Sequence, residues 1–129
     1  MRRMVLTALS MGFLALGATP AAAQDMMPQM AATEMVEFQA TVVDMSCKLV
    51  YNLQGEEMHR ECAQICADRG IPLGLLADDG TFYLPVSAAM PGEGANAMLR
   101  GHAEHHVTVK GRLLSRAGMN SIVIDEISM

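Results

Sequence analysis

The chain has 129 residues, of which 51% are hydrophobic, and its nine basic and fourteen acidic side chains give a formal net charge of −5. It contains no tryptophan, three phenylalanines and two tyrosines. Nucleic acid requires the opposite charge and aromatic stacking platforms, so this class of partner is excluded. The length allows one small domain with a modest core.

The first 23 residues have the features of a secretory signal peptide. Arg2 and Arg3 precede an apolar run that ends near Gly17, and Ala21 and Ala23 supply the small residues of a cleavage motif. The apolar run is too short to span a bilayer comfortably, and no later segment of the sequence could span one. We therefore predict export, cleavage after Ala23, a periplasmic location and a mature chain without a membrane span.

Residues 24–35 show no sustained periodicity and are predicted to form a flexible, methionine-rich tail before a single domain at 36–129. The thioethers of Met26, Met27 and Met30 are soft donors that suit Cu(I). A linker with incidental methionines is the alternative interpretation.

The next segments predict a strand and a helix. Val36–Asp44 alternates between apolar and polar residues, which is typical of a half-buried strand, and it leads to Cys47 in a predicted loop. Residues 55–69 predict a helix, with Gly70 as its C-terminal cap. His59, Cys62 and Cys66 share one stripe of this helix, which we expect to face inward.

The rest of the chain predicts two hairpins and a short helix. Residues 73–77 and 81–86 flank an Asp-Gly turn, 95–101 form the short helix, and 106–115 and 119–128 alternate as strands. The sequence thus predicts a mainly β fold with one inserted helix. Its architecture is a five-stranded OB-like barrel, with the helix that carries the Cys/His cluster between strands 1 and 2.

Three cysteines in an exported domain cannot all pair with one another, and this odd number points to a free thiol, an intermolecular bridge or a metal. With Cys47 from the preceding loop, the helical stripe completes a Cys3His set, and we predict Cys47, His59, Cys62 and Cys66 as ligands of one metal ion. Zn²⁺ fits this set by geometry. Export, the methionine tail and soft thiolates favour Cu(I) narrowly.

A second metal site is conceivable at His102, His105 and His106, for which a solvated loop entering a strand is the alternative.

Other interpretations of the cysteines remain open. Cys47 could form a disulfide with Cys62 or Cys66, whereas a Cys62–Cys66 bridge within a helix would be strained. Both helical cysteines could also simply pack as small hydrophobic residues. A redox role is less favoured because the acidic neighbours raise thiol pKa values. No hydrolase constellation stands out, and we predict that the protein is not an enzyme.

Several segments resemble a group of small exported bacterial proteins with an OB-like barrel. They are Val42-Val43-Asp44-x-x-Cys47, His59-x-x-Cys62-Ala63-x-x-Cys66, Gly70-x-Pro72, Asp79-Gly80-Thr81 and Val107-x-Val109-x-Gly111, and they cover most of residues 36–128. The resemblance implies the barrel and a Cys/His cluster rather than an activity. The Cys62-x-x-x-Cys66 spacing is also similar, in chemistry alone, to the copper site of Sco-type assembly proteins.

The sequence therefore predicts a periplasmic soft-metal-binding protein, a carrier or buffer that holds one Cu(I) or Zn²⁺ per chain and exchanges it with a periplasmic or membrane metalloprotein. The alternative is a disulfide-stabilised periplasmic interaction module without metal.

Overall fold

A computed structural model describes residues 34–129, which form a closed five-stranded barrel. The strands are β1 (Glu34–Asp44), β2 (Leu73–Ala77), β3 (Phe82–Pro85), β4 (His106–Arg116) and β5 (Met119–Ser128), joined in the order β1-β2-β3-β5-β4. The helices are α1 (Met45–Tyr51), α2 (Glu57–Asp68) and the short α3 (Asn96–Leu99), followed by a 3-10 turn at Arg100–His102. The predicted OB-like barrel, with a helix between strands 1 and 2, is confirmed.

Strand β1 pairs with two neighbours and holds the barrel together. Its N-terminal part pairs antiparallel with β4, from Glu34 opposite Leu113 to Thr41 opposite His106, and its C-terminal part pairs antiparallel with β2. The strand begins two residues before the predicted start at Val36, because Glu34 and Met35 also find partners on β4.

The remaining seams are unequal. Strands β4 and β5 form a long antiparallel hairpin with an irregularity between Lys110 and Gly111, where Gly111 lies close to the backbone of β5. Strands β3 and β5 close the barrel in parallel through only two residue pairs, Leu84 with Ser121 and Pro85 with Ile122.

The barrel interior holds the hydrophobic core. Alternate residues of the strands supply most of it, and α2 and α3 each add one side chain at its edge. The buried members are Ala40, Val42, Ala67, Leu73, Leu75, Leu99, Val107, Val109 and Ile122.

The prediction that Cys47 lies in a loop is wrong, because Cys47 lies in helix α1. Asp44 has extended backbone angles and its Oδ1 accepts a hydrogen bond of 2.8 Å from the Cys47 N–H, which makes it the N-cap. The helix ends at Asn52, whose left-handed backbone (φ 58°) lets its N–H reach the carbonyls of Cys47 and Lys48. Seven residues between two caps are too few to show a helical period.

Helix α2 is where the sequence predicts it, but its buried face is different from the predicted stripe. His59, Ala63 and Ala67 are buried at a spacing of four residues, whereas Cys62 is exposed and Cys66 is half-buried. The expected inward orientation therefore holds for His59 and is wrong for Cys62, which lies at the side of the helix near α1. The small side chains of Ala63 and Ala67 let α2 pack closely against the barrel, while Cys62 and Cys66 remain nearer the surface.

No helix within residues 34–129 is long and apolar enough to cross a membrane.

Candidate metal centre

Cys47, His59 and Cys62 come together between α1 and α2. One ligand atom of each side chain lies within 4.8 Å of the other two. Among residues 34–129, no other group of three His, Cys, Asp or Glu side chains meets this distance. Atoms bound to one metal lie roughly 3.5 Å apart when metal–ligand bonds are about 2.0–2.3 Å long. A small contraction of the side chains would thus bring all three to one ion, so the group can hold a metal.

His59 is fixed in the orientation that a metal ligand needs. Its Nδ1 lies 3.1 Å from Oε1 of Glu104, a carboxylate whose side chain is completely buried. An N–H next to a carboxylate is the donor, which leaves the lone pair on Nε2. Nε2 is itself buried and has no hydrogen-bond partner in the described part of the chain. A carboxylate that holds the far nitrogen of a histidine is a common arrangement behind metal ligands.

Glu104 reaches this place through an unusual turn before β4. Its backbone is left-handed, with φ of 60°, and its N–H donates to the carbonyl of Val42 at 2.8 Å. The Val42 N–H donates in turn to the carbonyl of His105 at 3.0 Å. The second carboxylate oxygen of Glu104 accepts a hydrogen bond from the backbone N–H of Gly55, just before α2. Glu104 therefore ties the turn before β4 to the start of the helix that carries the ligands.

Asp44 is the other buried carboxylate at the site, with a relative exposure of 1%. While Oδ1 caps α1, Oδ2 is buried and accepts no hydrogen bond of good geometry from the described residues. Asp44 also raises the pKa of two neighbouring thiols. A hydrogen bond with Asp44, followed by desolvation and the charges of Asp44 and Cys62, raises the pKa of Cys66 to about 12. Burial, followed by the charges of Asp44 and Cys62, also raises the pKa of Cys47.

The three cysteines are free thiols in the structure. Raised pKa values mean that Cys47 and Cys66 stay protonated at neutral pH as long as no cation is near. A bound metal ion reverses this preference, because its positive charge stabilises the thiolate. The local electrostatics thus couple metal uptake to proton release.

Cys66 lies beside the group rather than within it. Its thiol interacts with Asp44 and Cys62, but its sulfur is not among the atoms that lie within 4.8 Å of one another. The fourth predicted ligand therefore stays a prediction.

The three histidines predicted as a second metal site do not join this group. His106 Nε2 lies 2.8 Å from Asp78 Oδ1 on the barrel surface. His102 ends the 3-10 turn and His105 precedes β4, and neither joins a group of three ligating side chains among residues 34–129. Met26, Met27 and Met30 lie outside the described residues.

The sequence analysis missed Asp44 and Glu104 as parts of the site. Asp44 carries a local signal, since an aspartate at a strand end three residues before Cys47 is a typical N-cap. Glu104 carries none, because its contact with His59 spans 45 residues of sequence and depends on the barrel.

Comparisons of this chain with protein-family models, with curated proteins and with solved structures found no match. The function is therefore inferred from the geometry of the site.

Proposed function

We propose that this protein is a periplasmic carrier or buffer for one soft or borderline metal ion, Cu(I) or Zn²⁺, held by Cys47, His59 and Cys62. The observation that carries the proposal is the convergence of two thiols on an imidazole whose free nitrogen is buried and unpaired. Buried polar atoms in proteins nearly always have a partner, and a metal ion would supply one. Two thiolates and an imidazole suit three-coordinate Cu(I), and they suit Zn²⁺ when a fourth ligand is added.

The different exposures of the ligands support carriage rather than permanent storage. His59 is buried, Cys47 is half-buried and Cys62 is exposed. A ligand on another metalloprotein could therefore approach the ion from the side of Cys62 while the other two ligands still hold it. This is the arrangement that stepwise ligand exchange needs, and it makes a periplasmic or membrane metalloprotein the natural partner.

The proposed location is supported by the signal peptide predicted for residues 1–23. Intact-mass measurement on the exported protein tests it, and we expect a chain that begins at Gln24. Retention of residues 1–23 would remove the argument for a periplasmic role.

The central experiment measures metal affinity by competition with chromophoric chelators on reduced protein. We expect one Cu(I) or Zn²⁺ per chain, and large losses of affinity in Cys47→Ser, Cys62→Ser and His59→Ala. His106→Ala is the matched histidine control, since His106 is exposed and pairs with Asp78, and its affinity should equal that of the wild type.

The outcome of a thiol count separates this proposal from its alternative. Protein isolated from the periplasm without reductant should show three reactive thiols or a bound metal. One free thiol, no metal and no uptake of metal after reduction would instead support the disulfide-stabilised interaction module.

A further inference from the structure

Two buried polar atoms at the metal centre lack partners in the described part of the chain, and they belong to different residues. One is Nε2 of His59, and the other is Oδ2 of Asp44. Each atom offers a lone pair, so its partner must be a hydrogen-bond donor or a cation. An unpartnered buried acceptor is costly, and a cation is the group that can satisfy two acceptors and two thiolates together.

Asp44 is well placed to contribute this oxygen. Its Oδ1 holds the N–H of Cys47 at 2.8 Å, so the carboxylate is fixed at the start of α1, beside a ligand. The same carboxylate interacts with the thiols of both Cys47 and Cys66. It does not belong to the set within 4.8 Å, and it would complete the coordination as the three ligands contract around an ion.

We propose that Oδ2 of Asp44 is the fourth ligand of the metal centre, and that Cys66 stays outside the set of ligands. The resulting set of two thiolates, one imidazole and one carboxylate contains a ligand that Zn²⁺ uses and Cu(I) does not, and it thereby favours Zn²⁺. This inference rests on the proposed metal-binding function and assigns the metal within it.

The choice of metal follows from the hardness of the ligand. Zn²⁺ accepts carboxylate oxygen as readily as nitrogen and sulfur in its tetrahedral sites. Cu(I) is soft and is satisfied by the two thiolates and the imidazole, so a carboxylate adds little to its binding. Loss of the Asp44 carboxylate should therefore weaken Zn²⁺ binding selectively.

The test compares Zn²⁺ and Cu(I) affinities of Asp44→Asn with those of the wild type. Asparagine is an equally good N-cap, so α1 and the position of Cys47 are retained. We expect Zn²⁺ affinity to fall by at least the roughly 10- to 100-fold that the loss of a group hydrogen-bonded to a ligand costs, and Cu(I) affinity to stay unchanged. Equal losses for both metals would show that Asp44 acts only through α1, and would overturn the proposal.

A second measurement does not depend on the folding of the Asp44 variant. Co²⁺ replaces Zn²⁺, and the intensity of its sulfur-to-metal charge-transfer band reports the number of bound thiolates. We expect the band of Cys66→Ser to equal that of the wild type, and the band of Cys62→Ser to fall. If the intensity of the band in Cys66→Ser instead falls by the amount expected for one thiolate, Cys66 is the fourth ligand and the assignment of Asp44 is wrong. Failure of the wild type to bind any of the three metals would instead refute the proposed function itself.

Discussion

Among residues 34–129, the side chain of His59 makes one hydrogen bond, to the carboxylate of Glu104, which lies 45 residues further along the chain. This bond fixes which nitrogen carries the proton and which way the ring faces. The orientation and the tautomer of the ring are thus set by folding, so the entropy of ordering the ring would already be lost before a metal binds.

Replacing Glu104 tests this orientation. We expect Glu104→Ala to weaken metal binding about 10- to 100-fold, because the His59 ring loses its partner and its preferred tautomer. Glu104→Gln keeps an oxygen that can accept the Nδ1 proton, so most of the affinity should return. Competition titrations on both variants provide the measurement, with circular dichroism as the control for folding. Unchanged affinity in Glu104→Ala would mean that the hydrogen bond has no part in metal binding.

The thiol of Cys66 makes the metal-free protein sensitive to alkali. Its pKa rises from 9.0 in the unfolded chain to about 12 in the folded one, through a hydrogen bond with Asp44 and then burial. Between these values the unfolded chain loses a proton that the folded chain keeps. The free energy of unfolding should therefore be fully maintained below pH 9 and fall as the pH rises towards 12.

Urea unfolding in a metal chelator and a phosphine reductant measures this decline. Cys66→Ser lacks the titrating thiol, so its stability should fall less steeply over the same range. Parallel slopes for the two proteins would assign the alkaline instability to other groups.

At the scale of elements, the position of α2 depends on one side chain from α3. The Asn96 amide donates to the carbonyls of Ala67 and Ile71 at 3.0 and 2.8 Å, and its oxygen accepts from the Leu73 N–H at 3.0 Å. One asparagine thus satisfies the backbone where the helix ends and β2 begins. The helix that carries His59 and Cys62 is thereby held to the barrel at its far end.

Asn96→Ala should therefore lower the free energy of unfolding by about 2–3 kcal/mol, since three hydrogen bonds are lost at roughly 0.5–1.5 kcal/mol each. Gln64→Ala is the matched amide control. Gln64 makes a single exposed bond of 3.4 Å to the Arg100 carbonyl, and its loss should cost no more than about 0.5 kcal/mol. Denaturant unfolding of both variants checks the difference, and equal effects would contradict it.

How much the sequence reveals differs between these elements. The strands were predictable because their apolar residues alternate over nine or more residues or because they flank an Asp-Gly turn. Helix α2 was predictable from its C-terminal Gly70, although its buried face was not. Helix α1 was not, since it is short and identified only by its caps at Asp44 and Asn52. The closeness of Cys47 to Cys62 was predictable from composition and spacing. The contacts of Glu104 were not, because they arise only when β1 and β4 pair.

At the scale of the whole molecule, closure of the barrel brings the backbones of neighbouring strands very close together at one point. A Cβ on Gly111 would clash with the carbonyl oxygen of Val123 on the paired strand β5, and backbone cannot move aside as a side chain can. Gly111 lies next to the irregularity that bends β4. The curvature of the barrel at this point requires a residue without a side chain.

Gly111→Ala should accordingly destabilise the fold by about 1–3 kcal/mol or more, as overpacking does. Gly101→Ala is the control, because a Cβ there would meet nothing within 4 Å and the backbone is not left-handed. Its stability should stay within about 0.5 kcal/mol of the wild type. Thermal unfolding of the two variants decides, and a stable Gly111→Ala would show that the strands can separate locally without loss.

The short parallel seam between β3 and β5 has a consequence for the motions of the barrel. Two residue pairs hold this seam, against eight between β1 and β4, and Pro85 contributes no N–H to it. Local opening of a closed barrel begins where few bonds must break together, and β3 is held to each of its two neighbours by only two residue pairs. In native-state hydrogen exchange, the amide of Val86, bonded to the Ile122 carbonyl at 2.9 Å, should therefore exchange its proton well before the amides of β1 in the part of the strand that pairs with β4, such as that of Phe38. Simultaneous exchange at both seams would mean that the barrel opens only by unfolding completely.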